Sequence, residues 1–328
     1  MLKLEVYAET WPLREAFTIS RGSRTETPVI ICTLEEDGIR GWGEGQPNLR
    51  YDETQGSAIA EIQALQGAVE AGEVDRAVLQ DAMKPGAARN ALDCAFWDLE
   101  AKLTGKRVWD LAGLPAPKPV TTAYTLSAAS PDNMAAAAVR NKDRPLIKMK
   151  LTGEGDLERV RAVRGVLPET PIIVDANEGW EVDIVDRLAN ALKRLQVQLV
   201  EQPLPAASDA ALADIVHPLP FCADESCHIS ADLDHLRGRY DVINIKLDKT
   251  GGLTEALKLR QAALDAGMQI MVGCMVATSL SMAPGVLVAQ DAAFVDLDGP
   301  LLLSNDRETG LFYDDNGRVH PPEAALWG

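Results

Sequence analysis

The chain is constrained most by five short apolar runs that each end in a charged residue. The charged residues are Lys150, Asp175, Glu201, Asp224 and Lys246, and steps of 25, 26, 23 and 22 residues separate them. A step of this size accommodates one strand, one helix and two short connections, because a strand takes about 5 residues and a helix about 11. The repeat therefore predicts an α/β fold built around a parallel β/α barrel, with these residues at the strand ends.

The C-terminal ends of all strands in such a barrel face one mouth, so residues distant in sequence converge there. Asp175, Glu201 and Asp224 would bring three carboxylates together, and these would repel one another unless a cation joined them. Oxygen ligands without His or Cys suit a hard ion. The sequence therefore predicts one Mg²⁺ per subunit at these three residues.

Side-chain alternation supports an inward direction for the charged groups. Lys148 and Lys150 are two residues apart, as are Asn244 and Lys246, and the residues between them are apolar. Successive side chains of a strand point to opposite faces, so each polar pair shares one face. We expect that face to be the barrel interior, because the apolar face must pack against the outer helices.

Lysines beside a metal-held carboxylate indicate proton removal from the adjacent carbon. A lysine acts as a base only when it is neutral, and a nearby Mg²⁺ and a second ammonium group lower its pKa. A divalent ion would stabilise the enediolate formed. Lysines on opposite faces of one carbon would allow removal from one side and return from the other, which inverts the centre.

Two regions of different character make up the chain. Residues 1–115 predict an α+β domain, with a hairpin turn at Asp37-Gly38 and a helix near 88–99 whose polar residues we expect to be solvated or paired. Alternating prolines at 115, 117 and 119 favour an extended linker. Residues 116–328 would form the barrel, and we expect the C-terminal tail to pack back on the first domain.

Composition excludes several classes of function. The net charge is −17, and the basic patches that nucleic-acid binding requires are missing. No run of about 18 apolar residues is present to span a membrane, and the N-terminal residues do not resemble a signal peptide. The five cysteines are expected to be buried free thiols in a reducing cytoplasm. A homo-oligomer remains possible.

Short motifs at the predicted strand ends resemble those of a known family, the muconate-lactonizing subgroup of the enolase superfamily. The motifs are Lys148-x-Lys150, Asp175-Ala176-Asn177, Glu201-Gln202-Pro203, Ala223-Asp224-Glu225-Ser226 and Asn244-Ile245-Lys246-Leu247. The resemblance covers essentially the whole chain. It implies a modified TIM barrel of (β/α)7β form with an N-terminal α+β capping domain. Asp296-Leu297-Asp298 narrows the resemblance to dipeptide epimerases, most closely the L-Ala-D/L-Glu epimerases of murein peptide recycling.

This resemblance also implies a role for each candidate residue. Asp175, Glu201 and Asp224 would bind Mg²⁺, and Lys150 and Lys246 would be the two acid/base catalysts. The other implied roles concern the dipeptide substrate: Lys148 would hold its carboxylate and enolate, Asp296 and Asp298 its α-ammonium, Arg24 its Glu side chain, and Thr125 and Cys274 would line the pocket. Lys249 is a rival for Lys246, but we expect it on the loop side of Asp248.

Other interpretations remain open at this stage. An o-succinylbenzoate synthase or a cycloisomerase would use the same lysines and metal ligands, but its substrate carries no ammonium for Asp296 and Asp298 to bind. A dipeptide epimerase of different residue specificity and an inactive metal-binding scaffold are further alternatives. Individually, Arg24 could be a solvated charge, Thr125 a buried hydroxyl satisfied by backbone, and the Asp296–Asp298 pair an acidic turn.

Overall fold

The computed structural model describes all 328 residues. Its strands are β1 (Lys3–Ile19), β2 (Gly22–Glu36), β3 (Ile39–Gly45), β4 (Val120–Thr121), β5 (Tyr124–Leu126), β6 (Ile147–Lys150), β7 (Ile172–Asp175), β8 (Val197–Glu201), β9 (Phe221–Ala223), β10 (Val242–Ile245), β11 (Gln269–Val272), β12 (Phe294–Val295) and β13 (Arg318–Val319). Its helices are α1 (Gln55–Glu70), α2 (Arg76–Ala82), α3 (Ala87–Thr104), α4 (Val108–Leu111), α5 (Pro131–Arg140), α6 (Asp156–Val166), α7 (Val182–Arg194), α8 (Leu233–Leu236), α9 (Leu247–Thr250), α10 (Leu253–Asp265), α11 (Ser279–Val288) and α12 (Gly299–Leu302). None of the helices combines the length and apolar content needed to cross a bilayer.

The N-terminal part is an antiparallel sheet of three strands in the order β1-β2-β3. The turn between β2 and β3 is the predicted Asp37-Gly38 pair, and both residues have positive φ, 52° and 79°. Two-residue hairpins favour this backbone because its twist matches that of the strands.

Helix α3 packs against this sheet at unusually short distance. Gly41, Gly43 and Gly45 alternate along β3, and a Cβ atom on any of them would lie 2.2–2.3 Å from the backbone of α3. Only residues without a side chain permit so close an approach. Glycines at every second position therefore place α3 against one face of the sheet.

The polar residues of α3 are paired, one of the two outcomes expected from the sequence, but they are not solvated. Arg89, Asp93 and Asp98 are buried rather than solvated. Arg89 donates hydrogen bonds to the carbonyl oxygens of Thr250 and Gly251, at 2.7 and 3.1 Å. A buried charge needs such partners. Helix α3 is thus enclosed between the sheet and the barrel, and its polar groups join the two.

Eight parallel strands, β5 to β12, form the second sheet in sequential order. The Ala123 amide donates to the Val295 carbonyl oxygen at 2.8 Å, which brings the first strand to the last. Seven crossovers connect the strands, and most contain helices. The predicted barrel of (β/α)7β form with an N-terminal α+β sheet domain is confirmed.

Side-chain parity in the barrel also agrees with prediction. An apolar layer fills the barrel near the N-terminal ends of the strands, and it consists of Ala123, Leu146, Ile173, Leu199, Cys222, Val242 and Met271. Ile147, Met149, Ile243 and Ile245 instead belong to the large core shared with the helices. The interior above the apolar layer is therefore left to the polar residues of the same strands.

Candidate active site

Three carboxylates meet at the C-terminal mouth of the barrel. Asp175 ends β7, Glu201 ends β8, and Asp224 follows β9. One oxygen atom from each lies within 4.8 Å of the others, and all three residues are buried. The convergence follows from register, since Asp175 pairs with Glu201 and with Lys150 in the neighbouring strands.

Lysines partly compensate the negative charge of these carboxylates. Lys150 Nζ lies 2.6 Å from Asp175 and Lys246 Nζ lies 2.5 Å from Asp224. Burial alone would raise the pKa of Asp175, but Lys150 and Lys148 outweigh it and hold that pKa at about 2. Burial and the charge of Asp175 together raise the pKa of Glu201 to about 7. Without further positive charge, the cluster therefore still holds a carboxylate, Glu201, that is partly protonated near pH 7.

The donor set fits a divalent cation. Glu201 Oε2 and Asp224 Oδ1 are buried without a hydrogen-bond partner of suitable geometry, although Lys148 and Lys249 each lie 2.7 Å away. Buried oxygens are normally satisfied by donors or ions. Three clustered carboxylates, two of which have an oxygen without a hydrogen-bond partner, suit Mg²⁺, which prefers hard oxygen ligands.

Lys150 and Lys246 stand on opposite sides of the carboxylate cluster. They lie on or directly after β6 and β10, which flank the three strands β7, β8 and β9. Both side chains reach the wall of the cavity described below. The space between them therefore has one lysine amine on each side.

Lys148 lies deeper in the barrel than its predicted role in holding the substrate carboxylate requires. Its side chain is fully buried, and it does not reach the cavity wall. Its Nζ lies 2.7 Å from both Glu201 and Asp296, and 3.3 Å from Asp175. Burial opposes its charge, but these acids raise its pKa well above the usual value. Lys148 therefore supplies a fixed positive charge below the cavity floor.

Lys249 is a site residue whose position the sequence interpretation missed. It lies in α9 and is buried under the cluster, with Nζ 2.7 Å from Asp224 Oδ1 and 3.0 Å from the Asn244 carbonyl oxygen. The Lys249 amide donates a hydrogen bond to the Lys246 carbonyl oxygen. This first turn of α9 returns Lys249 beneath strand β10. The segment Leu247–Thr250 is too short for its sequence pattern to predict a helix.

A cavity of about 520 Å³ opens above the lysines and carboxylates. Its volume falls within the usual range for small-molecule sites. Among the residues that line it are eight of the predicted site residues: Arg24, Thr125, Lys150, Asp224, Lys246, Cys274, Asp296 and Asp298. The N-terminal sheet supplies part of the opposite wall, including Phe17, Ile19 and Arg21.

Arg24 reaches the cavity from the tip of the β1–β2 hairpin, residues 17–24, here called the hairpin tip. No carboxylate pairs with its guanidinium, whose nearest described partner is the ring of Phe17, 6.0 Å from its centre. Burial lowers the pKa of Arg24. Arg21, by contrast, is already paired with Glu225 at 2.8 Å and Glu178 at 3.2 Å. Arg24 is therefore the cation of this tip that is free to bind an anion.

Asp296 and Asp298 both reach the cavity. Strand β12 ends at Val295, so the two residues lie in the turn before α12 instead of along one strand face. Asp296 accepts hydrogen bonds from Lys148 at 2.7 Å and from the Thr125 hydroxyl at 3.3 Å. The Thr125 amide donates to Asp298 at 2.6 Å.

These contacts leave the two carboxylates in different electrostatic states. Lys148 compensates Asp296, whereas Asp298 has no cationic partner. Burial and the neighbouring charge of Asp296 raise the pKa of Asp298 to about 7. Asp298 is therefore the acid in the cavity that would gain most from a cationic ligand.

The sequence matches two family models, one in each part of the chain. Residues 1–113 match the mandelate racemase/muconate lactonizing enzyme N-terminal domain, and residues 133–325 match the enolase C-terminal domain-like family. The chain belongs to the enolase superfamily. The predicted resemblance to this superfamily is confirmed, and the N-terminal match is to its mandelate racemase/muconate lactonizing enzyme branch.

Curated relatives in the superfamily act on amino acid derivatives. The chain is 44% identical to the L-Ala-D/L-Glu epimerase of Escherichia coli (strain K12), over 98% of this chain and 100% of the relative. It is 42% identical to an N-acetyl-D-glutamate racemase of Pseudoalteromonas sp, over 92% of this chain and 95% of the relative.

Solved structures of the superfamily share the whole fold. An Agrobacterium tumefaciens enolase family member with homology to dipeptide epimerases, solved with sodium and L-Ala-L-Glu, is 51% identical with a TM-score of 0.97, and each chain is covered fully. A Cytophaga hutchinsonii dipeptide epimerase complexed with Mg and D-Ala-L-Val is 28% identical with a TM-score of 0.92, over 100% of this chain and 95% of the other.

Proposed function

We propose that the protein is a Mg²⁺-dependent dipeptide epimerase that interconverts L-Ala-D-Glu and L-Ala-L-Glu. The observation that carries the assignment is the distribution of charge around one cavity. Asp298 lacks a cationic partner, Arg24 lacks an anionic one, and the two lysines line the same cavity. A dipeptide ending in Glu offers an ammonium group and a side-chain carboxylate that complement these two groups. The identity to the E. coli epimerase supports this assignment.

The chemistry we propose is proton transfer at the α-carbon of the C-terminal residue. One lysine, when neutral, removes the α-proton, and the other, when protonated, returns a proton to the opposite face. Lys150 and Lys246 suit these roles because they flank the carboxylate cluster and both reach the cavity. Inversion then requires no other acid or base.

Asp175, Glu201 and Asp224 would hold the cation, consistent with their clustered oxygens. When bound, Mg²⁺ offsets the charge of these acids and of the substrate carboxylate, where negative charge develops. Lys148 contributes positive charge below the same point. We assign Thr125 and Cys274 to the pocket wall, where Thr125 also orients Asp296 and Asp298.

L-Ala-Glu dipeptides are fragments of bacterial cell-wall peptides. We therefore infer a place in peptidoglycan recycling, in the cytoplasm, where such fragments would be degraded. The five cysteines support a reducing compartment, since none is paired in a disulfide.

A second candidate function is racemisation of an N-acylated glutamate. The 42% identity to an N-acetyl-D-glutamate racemase favours it, and so does the raised pKa of Asp298, because a neutral acid tolerates a ligand without an ammonium group. Both candidates place a Glu carboxylate near Arg24. They differ in what Asp296 and Asp298 contact.

Deuterium incorporation would test both candidates in one assay. The enzyme is incubated in D₂O with Mg²⁺ and either L-Ala-L-Glu or N-acetyl-L-glutamate, and the product mass is measured. We expect a gain of one mass unit at the α-carbon of the dipeptide. Exchange with N-acetylglutamate alone would replace the first candidate by the second, and exchange with neither would reject both.

Replacing Arg24 with alanine is expected to lower kcat/KM for L-Ala-L-Glu by about ten- to a hundredfold, because a charged hydrogen bond contributes roughly 1.5–3 kcal/mol. A dipeptide with an apolar second residue should be affected little. Arg24→Lys serves as the graded control, since it retains the charge without the two-pronged geometry. An equal loss with both dipeptides would make Arg24 structural.

Dipeptide affinity is expected to weaken as the pH falls below about 7, the pKa of Asp298. This pKa is raised from its usual value, so the carboxylate that attracts ammonium is present above pH 7 and lost below it. Calorimetric titration of a Lys246→Ala variant measures the dissociation constant without turnover. Asp298→Asn should flatten the profile, and an unchanged profile in that variant would assign the pH dependence to another group.

A further inference from the structure

We propose that Glu178 is a positioning residue for specificity: it binds Arg21 of the hairpin tip and Arg50 of a neighbouring loop, and so holds Arg24 over the barrel mouth. The role of Arg24 in binding the Glu side chain of the dipeptide rests on the proposed function. The ionic contacts themselves do not, because they follow from the geometry alone.

Glu178 and Arg50 form a two-pronged ion pair. Arg50 Nε donates to Glu178 Oε2 at 2.7 Å, and Arg50 Nη2 donates to Glu178 Oε1 at 2.8 Å. Arg50 lies in a single helical turn, Leu49–Tyr51, that lines the cavity entrance. Planar guanidinium and carboxylate groups match in this geometry, which fixes direction as well as distance.

Arg21 brings the hairpin tip to the same carboxylate. Its Nη1 atom lies 3.2 Å from Glu178 Oε2 and 3.0 Å from the Asn177 carbonyl oxygen. Its Nη2 atom lies 2.8 Å from Glu225. Two loops of the N-terminal domain, distant in sequence, therefore meet at one acid of the barrel.

The backbone of the barrel presents Glu178 toward these loops. Asn177 and Glu178 follow β7 and both have positive φ, 44° and 66°. Residues other than glycine adopt this region at an energetic cost, which surrounding contacts must offset. The Ala206 amide adds a further hydrogen bond to Glu178 Oε1 at 2.9 Å. The side chain is only 10% exposed, so its position is well defined.

The hairpin tip requires contacts of this kind. The register of β1 with β2 breaks between Pro12 and Phe17, and only three residue pairs follow the break. Arg24 is a member of one of those pairs, opposite Phe17. A short hairpin end beyond such a break is weakly fixed by its own ladder. Contacts from the barrel to Thr18, Ser20 and Arg21 thus help to determine where Arg24 lies.

The test compares Glu178→Gln with a matched control, Glu100→Gln. Glu100 forms a two-pronged pair with Arg76, at 3.0 Å for both hydrogen bonds, and it lies on α3 away from the cavity. Both variants lose one carboxylate charge from a similar ion pair. Kinetics with L-Ala-L-Glu and with an apolar dipeptide are combined with limited trypsin digestion, because trypsin cleaves after Arg21, Arg24 and Arg50.

Glu178→Gln is expected to raise KM for L-Ala-L-Glu about tenfold, with kcat and the constants for the apolar dipeptide changed little. Cleavage after Arg21 or Arg50 should accelerate, while the thermal midpoint and the Glu100→Gln control remain near wild type. Wild-type cleavage rates, or equal KM changes for both dipeptides, would overturn the proposal. If the chain proved inactive on dipeptides, the proposed function would fail, and the digestion rates would still decide whether Glu178 holds the two loops.

Discussion

Alanine at Lys150 or at Lys246 is expected to abolish epimerisation. A positioned acid or base contributes about 10²- to 10⁴-fold to a rate, and inversion requires one lysine to remove the proton and the other to return one. The two lysines reach the cavity from strands on opposite sides of the carboxylate cluster. Polarimetry or chiral chromatography of the dipeptide measures the loss.

Proton exchange distinguishes this mechanism from a general loss of structure. Each single variant retains one base, so it should still exchange the α-proton of one epimer in D₂O. From the family resemblance we expect Lys150 to act at the R centre and Lys246 at the S centre. Lys258→Ala is a suitable control, because that side chain is 70% exposed. Equal residual exchange of both epimers in both variants would contradict a two-base mechanism.

Metal removal is the second change with a large expected effect. Treatment with a chelator should abolish turnover, and Mg²⁺ or Mn²⁺ should restore it, because three buried carboxylates meet beside the cavity in which we propose that the substrate binds. Activity before and after dialysis against metal-free buffer provides the measurement.

A substitution within the carboxylate cluster tests the same cation site without a chelator. Glu201→Gln removes one charged ligand while preserving shape, and it should weaken metal binding measured by calorimetry as well as activity. Asp209→Asn is the control, since Asp209 is also buried and paired, with Arg239, but lies outside the cluster. Full activity of the metal-free enzyme would refute the cation site.

The chemistry at the strand ends was predictable from sequence because two periodicities act together. The repeat of about 25 residues places Asp175, Glu201 and Asp224 at successive strand ends, and the alternation within strands directs Lys150 and Lys246 inward. Neither signal depends on knowing how distant parts of the chain pack. The barrel and the carboxylate cluster therefore follow from local pattern.

Features that depend on tertiary contact were not predictable in this way. The polar side of α3 is predicted to be solvated or paired, and its burial is not predicted, since a sequence does not reveal that a second layer covers it. Lys249 reads as a loop residue, although a helical turn returns it beneath Asp224. The sequence does not distinguish Asp298 from Asp296, whereas in the structure Asp296 pairs with Lys148 and Asp298 accepts a hydrogen bond from the Thr125 amide. In each case the deciding partner is distant in sequence.

The break in register between Pro12 and Phe17 separates the residues proposed for proton transfer from the hairpin tip proposed to select the substrate side chain. Under the proposed function, barrel residues transfer the proton and bind the dipeptide ammonium group, whereas Arg24 on the short hairpin end beyond the break distinguishes the side chain of the second residue. Apart from Phe17, which packs against the small cluster of Leu13, Val276 and Leu303, that end contributes no residue to the hydrophobic core, so substitutions there would leave the catalyst folded. A lineage built on this plan can acquire new dipeptide substrates by altering a few surface residues, while the same proton-transfer apparatus is passed on unchanged.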